Sequence, residues 1–236
     1  MDYLIPVFEK SHNADVQVIA VGTGEALKLG QQGDADALLV HDRTREDTFM
    51  ADGDGSLRYD VMFNDFIIVG PAADPAGIKG MSNPSEALTI IAESQSAFVS
   101  RGDDSGTHSR EKALWKAAGI EPSGDWYLSA GQGMGEVLTL SDEKGAYTLS
   151  DRATYLARVE TGLSLVVLVE GDPSLLNHYG VIVVNPDKHP GVNSALAQEF
   201  ADWLTSIETQ QLILDFHIGG KSVFTPESEA WKASGK

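Results

Sequence analysis

The chain has 236 residues, of which 42% are hydrophobic, enough for one large domain or for two domains of about 100 residues each. Its 17 Lys and Arg against 35 Asp and Glu give a net charge of −18, which disfavours binding to nucleic acid or to an anionic membrane surface. The absence of cysteine excludes disulfides, thiol catalysis and cysteine-ligated metals. No apolar run approaches the roughly 18 residues of a membrane span.

Apolar runs alternate with helical patterns, which is typical of an α/β protein with mainly parallel sheets. The predicted strands are 16–21, 35–40, 61–69, 97–99, 126–128, 146–149, 165–169 and 181–184. The predicted helices are 24–29, 44–50, 85–93, 107–118, 134–141, 151–157, 196–204 and 207–216. Two stretches rich in Pro and Gly bracket a central block, at 70–77 and 171–180. We therefore expect a first lobe of residues 1–70 and 182–236 and an inserted second lobe of residues 71–181, joined by two hinge segments.

One short stretch concentrates groups that can hold an oxyanion. Residues 100–108 read SRGDDSGTH, follow an apolar run and precede a predicted helix. A helix N-terminus offers free backbone N–H groups and the positive end of the helix dipole. Ser105 and Thr107 add hydroxyls, Arg101 adds a cation, and Asp103 and Asp104 are suited to the first turn of the helix. Because the net charge repels anions at long range, such a site depends on these local donors.

Two glycine-rich turns also precede predicted helices. They are Gly22-Thr23-Gly24 and the GQGMG of residues 131–135, and neither has the G-x-G-x-x-G spacing of a dinucleotide site. Each turn is compatible with a structural role or with a ligand contact. In the second case Thr23 would contribute its hydroxyl, and Met134 and Gly135 would contribute backbone N–H groups.

Catalysis and metal binding have weaker support in the sequence. Ser105 and His108 suggest a hydrolase, but a nucleophile elbow needs G-x-S-x-G, which this stretch lacks. The hydrolase therefore stays an alternative to simple binding. The DGDG of residues 52–55 lacks the further ligands of a calcium loop, and the six histidines show no metal-ligand spacing.

Several segments together resemble the tungstate-binding component of bacterial ABC transporters, a family of type II periplasmic solute-binding proteins. They include VIAVGTGEAL (18–27), GDADALLVHDR (33–43), FVSRGDDSGTH (98–108), GDWYLSAGQGMG (124–135) and EKGAYTLSDRATYL (143–156). The resemblance extends over almost the whole chain. It implies two α/β lobes that close on a tetrahedral dianion.

The resemblance also implies a function and a set of ligand contacts. The protein would be no enzyme: it would capture tungstate, or molybdate, and deliver it to the permease subunits of an ABC transporter. It would act as a monomer in the periplasm or at the cell surface, with no cofactor and with tungsten bound only as the oxyanion. The implied ligand residues are Thr23, Arg101, Ser105, Gly106, Thr107, Met134, Gly135, Tyr147 and Thr148.

Family members begin with a strand and a Thr/Ser-rich loop ahead of the segment that here reads DYLIPVFEK. We therefore expect the first β-strand, part of the first-lobe anion site and the export signal to be missing from this chain. An incomplete start accounts for this, whereas a true cytoplasmic form would fit an oxyanion sensor as the alternative function. The preference between tungstate and molybdate stays open, because the two ions are nearly the same size.

Overall fold

Helices and strands follow one another along residues 1–236, all of which are described by a computed structural model. The helices are α1 (Ile5–His12), α2 (Thr23–Gln32), α3 (Arg43–Ala51), α4 (Pro84–Glu93), α5 (Gly106–Ala117), α6 (Met134–Lys144), α7 (Arg152–Val159), α8 (Ser194–Thr205), α9 (Ile207–Leu214) and α10 (Glu229–Ala233). The strands are β1 (Ala37–Val40), β2 (Gly55–Gly70), β3 (Phe98–Ser100), β4 (Tyr127–Ser129), β5 (Thr148–Asp151), β6 (Val166–Val169), β7 (Leu176–Val184), β8 (His217–Ile218), β9 (Lys221–Ser222) and β10 (Thr225–Pro226). Every predicted helix is present, and none is long and apolar enough to cross a membrane.

Side-chain caps explain where many of the helices begin. Asn83 accepts hydrogen bonds from the first N–H groups of α4, Ser105 caps α5 and Asp151 caps α7. Such a cap satisfies a donor that has no partner inside the helix. Helix α1 was not predicted, because Leu4 stands at its N-cap and contributes no side-chain hydrogen bond.

The chain divides into two units. Unit 1 contains residues 1–63, 178–217 and 224–236, and unit 2 contains residues 64–177 and 218–223. The chain passes from one unit to the other four times: inside β2, inside β7, between the two residues of β8, and between residues 223 and 224. Residues 218–223 therefore belong to unit 2, whereas the sequence assigned them to the first lobe. The boundaries inside β2 and β7 fall after residues 63 and 177, where no Pro or Gly marks them. The sequence therefore predicted the boundaries a few residues later, after residues 70 and 181.

Unit 1 is built on a sheet in the order β1-β7-β2-β10. Strand β1 pairs antiparallel with β7, and β10 pairs antiparallel with β2. Successive side chains of β7 point to opposite faces, as strand geometry requires. Val181 and Val183 pack into a core with α8 and α9. Ile182 and Val184 pack with α2 and α3.

Unit 2 also has an apolar core on each face of its strands, which are built around the end of β2. Strands β5 and β6 both pair antiparallel with it, whereas β3 and β4 pair parallel with each other. Phe66 and Ile68 face one apolar core, and Ile67 and Val69 face another. The expectation of mainly parallel sheets was therefore wrong, because β2 runs opposite to β5 and β6.

The predicted strand at residues 16–21 is not formed. The segment has no strand partner, and Val18, Ile19 and Val21 are 50%, 53% and 45% exposed. A strand is stable only where neighbouring backbone groups accept and donate its hydrogen bonds, and here no such neighbour lies beside it. The N–H of Val16 donates to the Glu9 carboxylate, but the rest of the run has no strand partner. An exposed run of β-branched residues without a strand partner favours pairing between molecules.

We expect Ile19→Lys to reduce self-association at high protein concentration by about twofold or more. Light scattering as a function of concentration measures this effect. The matched control is Ile207→Lys, which adds the same charge at an exposed isoleucine in the first turn of α9. An equal reduction by both variants would assign the effect to net charge and not to the segment.

Candidate functional site

Three strands of unit 2 end at the same edge, and each leads into a helix. Strands β3 and β4 lie parallel with Ser100 opposite Ser129. The N–H of Val99 donates to the carbonyl of Tyr147 at 2.8 Å, so the chain entering β5 runs beside β3 in the same direction. The N-termini of α5, α6 and α7 therefore lie at one edge of the strands, which is where α/β proteins commonly bind ligands.

The loops that precede α5 and α6 are bonded to each other. The N–H of Ala130 donates to the carbonyl of Ser100 at 3.0 Å, and the N–H of Gln132 donates to that of Arg101 at 3.2 Å. Gly102 has a φ of +61°, a conformation that glycine adopts without strain. A Cβ there would also contact the side chain of Ser129, so glycine suits the close approach of the two loops.

The start of α5 leaves backbone donors available. Ser105 is the N-cap, and its Oγ accepts from the N–H of His108 at 3.3 Å. The N–H of Ser109 donates to the carbonyl of Ser105 at 2.8 Å, which is the first backbone bond of the helix. The N–H groups of Gly106 and Thr107 have no partner inside the protein, as expected of the first helical turn.

Helix α6 begins in the same way but without a capping side chain. Its N-cap is Gly133, and the first backbone bond to it comes from Val137 at 3.0 Å. The N–H groups of Met134 and Gly135 are consequently available. The side chain of Met134 is buried in the core of unit 2, so only its backbone can serve the edge.

Arg101 supplies positive charge beside these helix starts. Its side chain is 18% exposed, and one terminal nitrogen donates to the carboxylate of Asp103. Burial acts to raise the pKa of Asp103, but hydrogen bonds from Ser105 and Arg101 hold that pKa below its usual value. The Nε of Arg101 is buried and has no partner. A buried donor left in this state costs about 1–3 kcal/mol, which a bound acceptor would recover.

Buried side-chain polar atoms without a partner are rare in the protein. They are Thr23 Oγ1, Glu46 Oε1, Ser100 Oγ and Arg101 Nε. Two of these four atoms belong to residues that the sequence selected as ligand contacts. Thr23 is the first residue of α2 in unit 1, whose N-cap Gly22 contributes no side-chain bond. Unit 1 thus has an unpaired buried donor at the start of α2, and unit 2 has one in the loop that leads to α5.

Tyr147 and Thr148 are committed to internal hydrogen bonds. The Tyr147 hydroxyl accepts from the N–H of Ala76 and donates to Asp74 Oδ1, both at 2.8 Å. The hydroxyl of Thr148 donates to the carbonyl of Val99 at 2.7 Å. Both side chains are fully buried, and burial together with the Asp74 carboxylate raises the pKa of Tyr147 to about 12. We therefore do not include these side chains among the ligand contacts.

Tyr147→Phe should lower the free energy of unfolding by about 1–3 kcal/mol, because it leaves a backbone donor and a carboxylate without their shared partner. Urea denaturation measures the loss. The matched control is Tyr155→Phe, which removes a hydroxyl that donates to a neutral carbonyl, that of Leu165, and not to a carboxylate, and it should cost less. The oxyanion affinity of Tyr147→Phe should stay that of the parent, and a large loss of affinity would return Tyr147 to the ligand contacts.

The stability difference should also depend on pH. Burial opposes ionisation of Asp74, but hydrogen bonds from Lys79 N–H and Tyr147 hydroxyl lower its pKa below the usual value. Its stabilising contribution is therefore present above about pH 4 and is lost as the pH falls through the lowered pKa. We expect the gap between parent and Tyr147→Phe to narrow near pH 3, and a constant gap would contradict this linkage.

The geometry of Ser105 and His108 does not form a nucleophile and base pair. The Ser105 hydroxyl accepts from the backbone N–H of His108, whereas His108 Nδ1 accepts from the N–H of Asp104 at 3.0 Å. Burial and the nearby Lys112 lower the pKa of His108, with Asp104 acting against them. These bonds build the start of α5. No group of three or more His, Asp or Glu side chains is placed to hold a metal ion.

Known proteins of similar sequence and structure identify the family. Residues 1–208 match the PBP superfamily domain. The tungstate-binding protein TupA of Peptoclostridium acidaminophilum is 49% identical over 97% of this chain and 81% of its own length. The TupA structure from Desulfovibrio alaskensis G20 has 46% identity and a TM-score of 0.88, with 97% of this chain and 93% of that chain covered. A tungstate ABC transporter structure from Geobacter sulfurreducens has 51% identity and a TM-score of 0.81, with 91% of both chains covered.

These matches confirm the resemblance and the fold class that the sequence indicated. The identities are far above the level at which only a fold is shared, and they extend over nearly the whole chain. The chain belongs to the PBP superfamily, in the family of the tungstate-binding TupA proteins.

Proposed function

We propose that this protein is the solute-binding component of an ABC transporter and that it captures tungstate, or molybdate, outside the cytoplasm. The names of its relatives support this function, since they are tungstate-binding proteins and a tungstate ABC transporter. The protein would deliver the anion unchanged to permease subunits. Tungsten would be held only through its oxygen atoms, with no metal ligand from the protein.

The main observation behind the proposal is that the buried Nε of Arg101 has no hydrogen-bond partner. In unit 2 this donor lies in the loop that leads to the free N–H groups of Gly106 and Thr107, and that loop is bonded to the one before Met134 and Gly135. A dianion loses its water on binding, so several donors and a cation must replace that water. The dipoles of α5 and α6 add positive potential at the same edge.

Ser105, Thr107 and Thr23 extend the set of proposed contacts. The hydroxyls of Ser105 and Thr107 lie in the first turn of α5, and Thr23 contributes the unfilled hydroxyl of unit 1. Thr107 and Thr23 are neutral donors, whereas the Ser105 hydroxyl already donates to the Asp103 carboxylate and caps α5, so Ser105 contributes mainly by fixing the turn. Neutral donors in a fixed frame select an anion by size, so we expect tungstate and molybdate to bind similarly and the smaller sulfate to bind more weakly.

Calorimetric titration with tungstate, molybdate, sulfate and phosphate tests the proposal. We expect one tungstate per chain, a similar affinity for molybdate and clearly weaker binding of the other two anions. Light scattering during the same experiment should show a monomer in both the free and the bound state. Tighter binding of sulfate or phosphate, with no measurable binding of tungstate, would contradict the assignment.

A further inference from the structure

Glu111 is a buried carboxylate that the sequence did not single out. It lies on α5 and is 2% exposed. Buried carboxylates are usually paired with a cation, because an isolated charge is costly to desolvate. Glu111 instead accepts from neutral donors, the Tyr127 hydroxyl at 2.7 Å and the Trp115 indole N–H at 3.2 Å. The backbone N–H of Arg101 also lies close enough to act against burial and lower the pKa of Glu111.

The Arg101 main chain connects Glu111 to the oxyanion site. The carbonyl of Arg101 accepts from the N–H of Gln132 at 3.2 Å, and its N–H lies near the Glu111 carboxylate and stabilises the charged form. The guanidinium is attached to the same Cα, so its position depends on both contacts. Ser100, the residue before it, also faces Glu111, without a well-formed hydrogen bond.

The surroundings of Glu111 fix its side chain. Trp115 packs edge-on against Phe98 and Tyr127, with ring centroids 5.3 and 6.1 Å apart. Phe98 and Trp115 are fully buried. The two side chains that donate to Glu111 therefore have little freedom, and they hold the carboxylate against the Arg101 backbone.

We propose that Glu111 is the positioning residue of the oxyanion site, which holds the Arg101 main chain in place without touching the anion itself. This inference rests on the proposed function for the identity of the ligand. A loop that is already in its binding geometry loses less conformational entropy when the ligand arrives. Burial raises the pKa of Glu111. The proposed role depends on the acceptor oxygen of the Glu111 side chain and not on its charge.

Two substitutions separate the acceptor from the charge. Glu111→Gln removes the charge but keeps an oxygen that can accept from the Arg101 N–H, whereas Glu111→Met keeps the volume and removes every acceptor. We expect the tungstate Kd of Glu111→Gln to stay within about threefold of the parent. The Kd of Glu111→Met should rise about tenfold or more, with the stoichiometry still one per folded chain.

The control for a merely structural role is Ser141→Ala. Ser141 is also fully buried in unit 2, where its hydroxyl donates to the carbonyl of Val137. It should lower the unfolding midpoint and leave the Kd unchanged. The proposal is overturned if Glu111→Met behaves like Ser141→Ala, or if Glu111→Gln loses as much affinity as Glu111→Met. Should Glu111→Met fail to fold, Glu111→Asp serves instead, since its shorter side chain withdraws the acceptor and keeps the charge.

A measurement without ligand distinguishes this inference from the proposed function. Hydrogen exchange of residues 100–107 in the free protein should accelerate in Glu111→Met and stay near the parent rate in Glu111→Gln. Absence of tungstate binding by the parent would contradict the function but leave this test intact. Unchanged exchange in Glu111→Met would overturn the positioning role whatever the parent binds.

Discussion

Replacing Arg101 by alanine should weaken tungstate binding by about 100-fold or more. The variant removes the guanidinium whose Nε is buried without a partner, and with it a charge-assisted bond and the compensating cation for a dianion. The loss of such contacts corresponds to about 3 kcal/mol. Calorimetric titration gives the Kd directly, and competition with molybdate extends the range if the parent binds too tightly.

Two controls show whether the effect belongs to the site. Asp103→Ala should change the Kd much less, because Asp103 only orients Arg101 through their ion pair. Arg43→Ala removes an exposed arginine from α3 and should leave the Kd unchanged. Retention of the parent affinity by Arg101→Ala would mean that the anion binds elsewhere.

Arg101→Lys refines the same prediction. Lysine keeps the charge but lacks the planar fork of donors, so it cannot reproduce the Nε contact while it also reaches Asp103. We expect a Kd between those of the parent and Arg101→Ala. Equal affinity of the lysine variant and the parent would show that charge alone matters at this position.

The helix starts and the candidate site could be predicted because their signals are local. Ser105 and Asp151 are polar caps immediately before helices, and SRGDDSGTH places a strand end, a turn and a helix start within nine residues. The free N–H groups follow from helix geometry alone. Thr23 and Arg101, two of the three residues with an unpaired buried donor, could therefore be selected from the sequence.

The parts that escaped prediction depend on contacts distant in sequence. The sequence indicates Tyr147 as a ligand residue beside a strand end, but it gives no sign that the hydroxyl is bonded to Asp74, 73 residues away along the chain. Glu111 looked like an ordinary helix residue, and its role depends on Tyr127, 16 residues away. The run at 16–21 has strand composition, but no neighbouring strand takes up its backbone groups. Composition and spacing do not report such partners.

Gly106→Pro should weaken tungstate binding by about tenfold to 100-fold while the protein stays as stable as the parent. Gly106 is the first residue of α5, and its N–H has no partner inside the protein. Proline is favoured at this position, because only an orphan N–H is lost and its fixed φ suits a helix start. Ser105 has the extended conformation that a residue before proline requires, with φ −67° and ψ 171°.

The matched control is Gly106→Ala, which adds a side chain but keeps the N–H. If the backbone donor holds the anion, the alanine variant should bind nearly as the parent does and the proline variant should not, with equal unfolding midpoints in both. Equal losses in the two variants would point to crowding by the added Cβ instead. Parent-like binding by both would remove this N–H from the contacts. The difference between the two variants thus isolates one backbone donor, which no side-chain substitution in SRGDDSGTH can do.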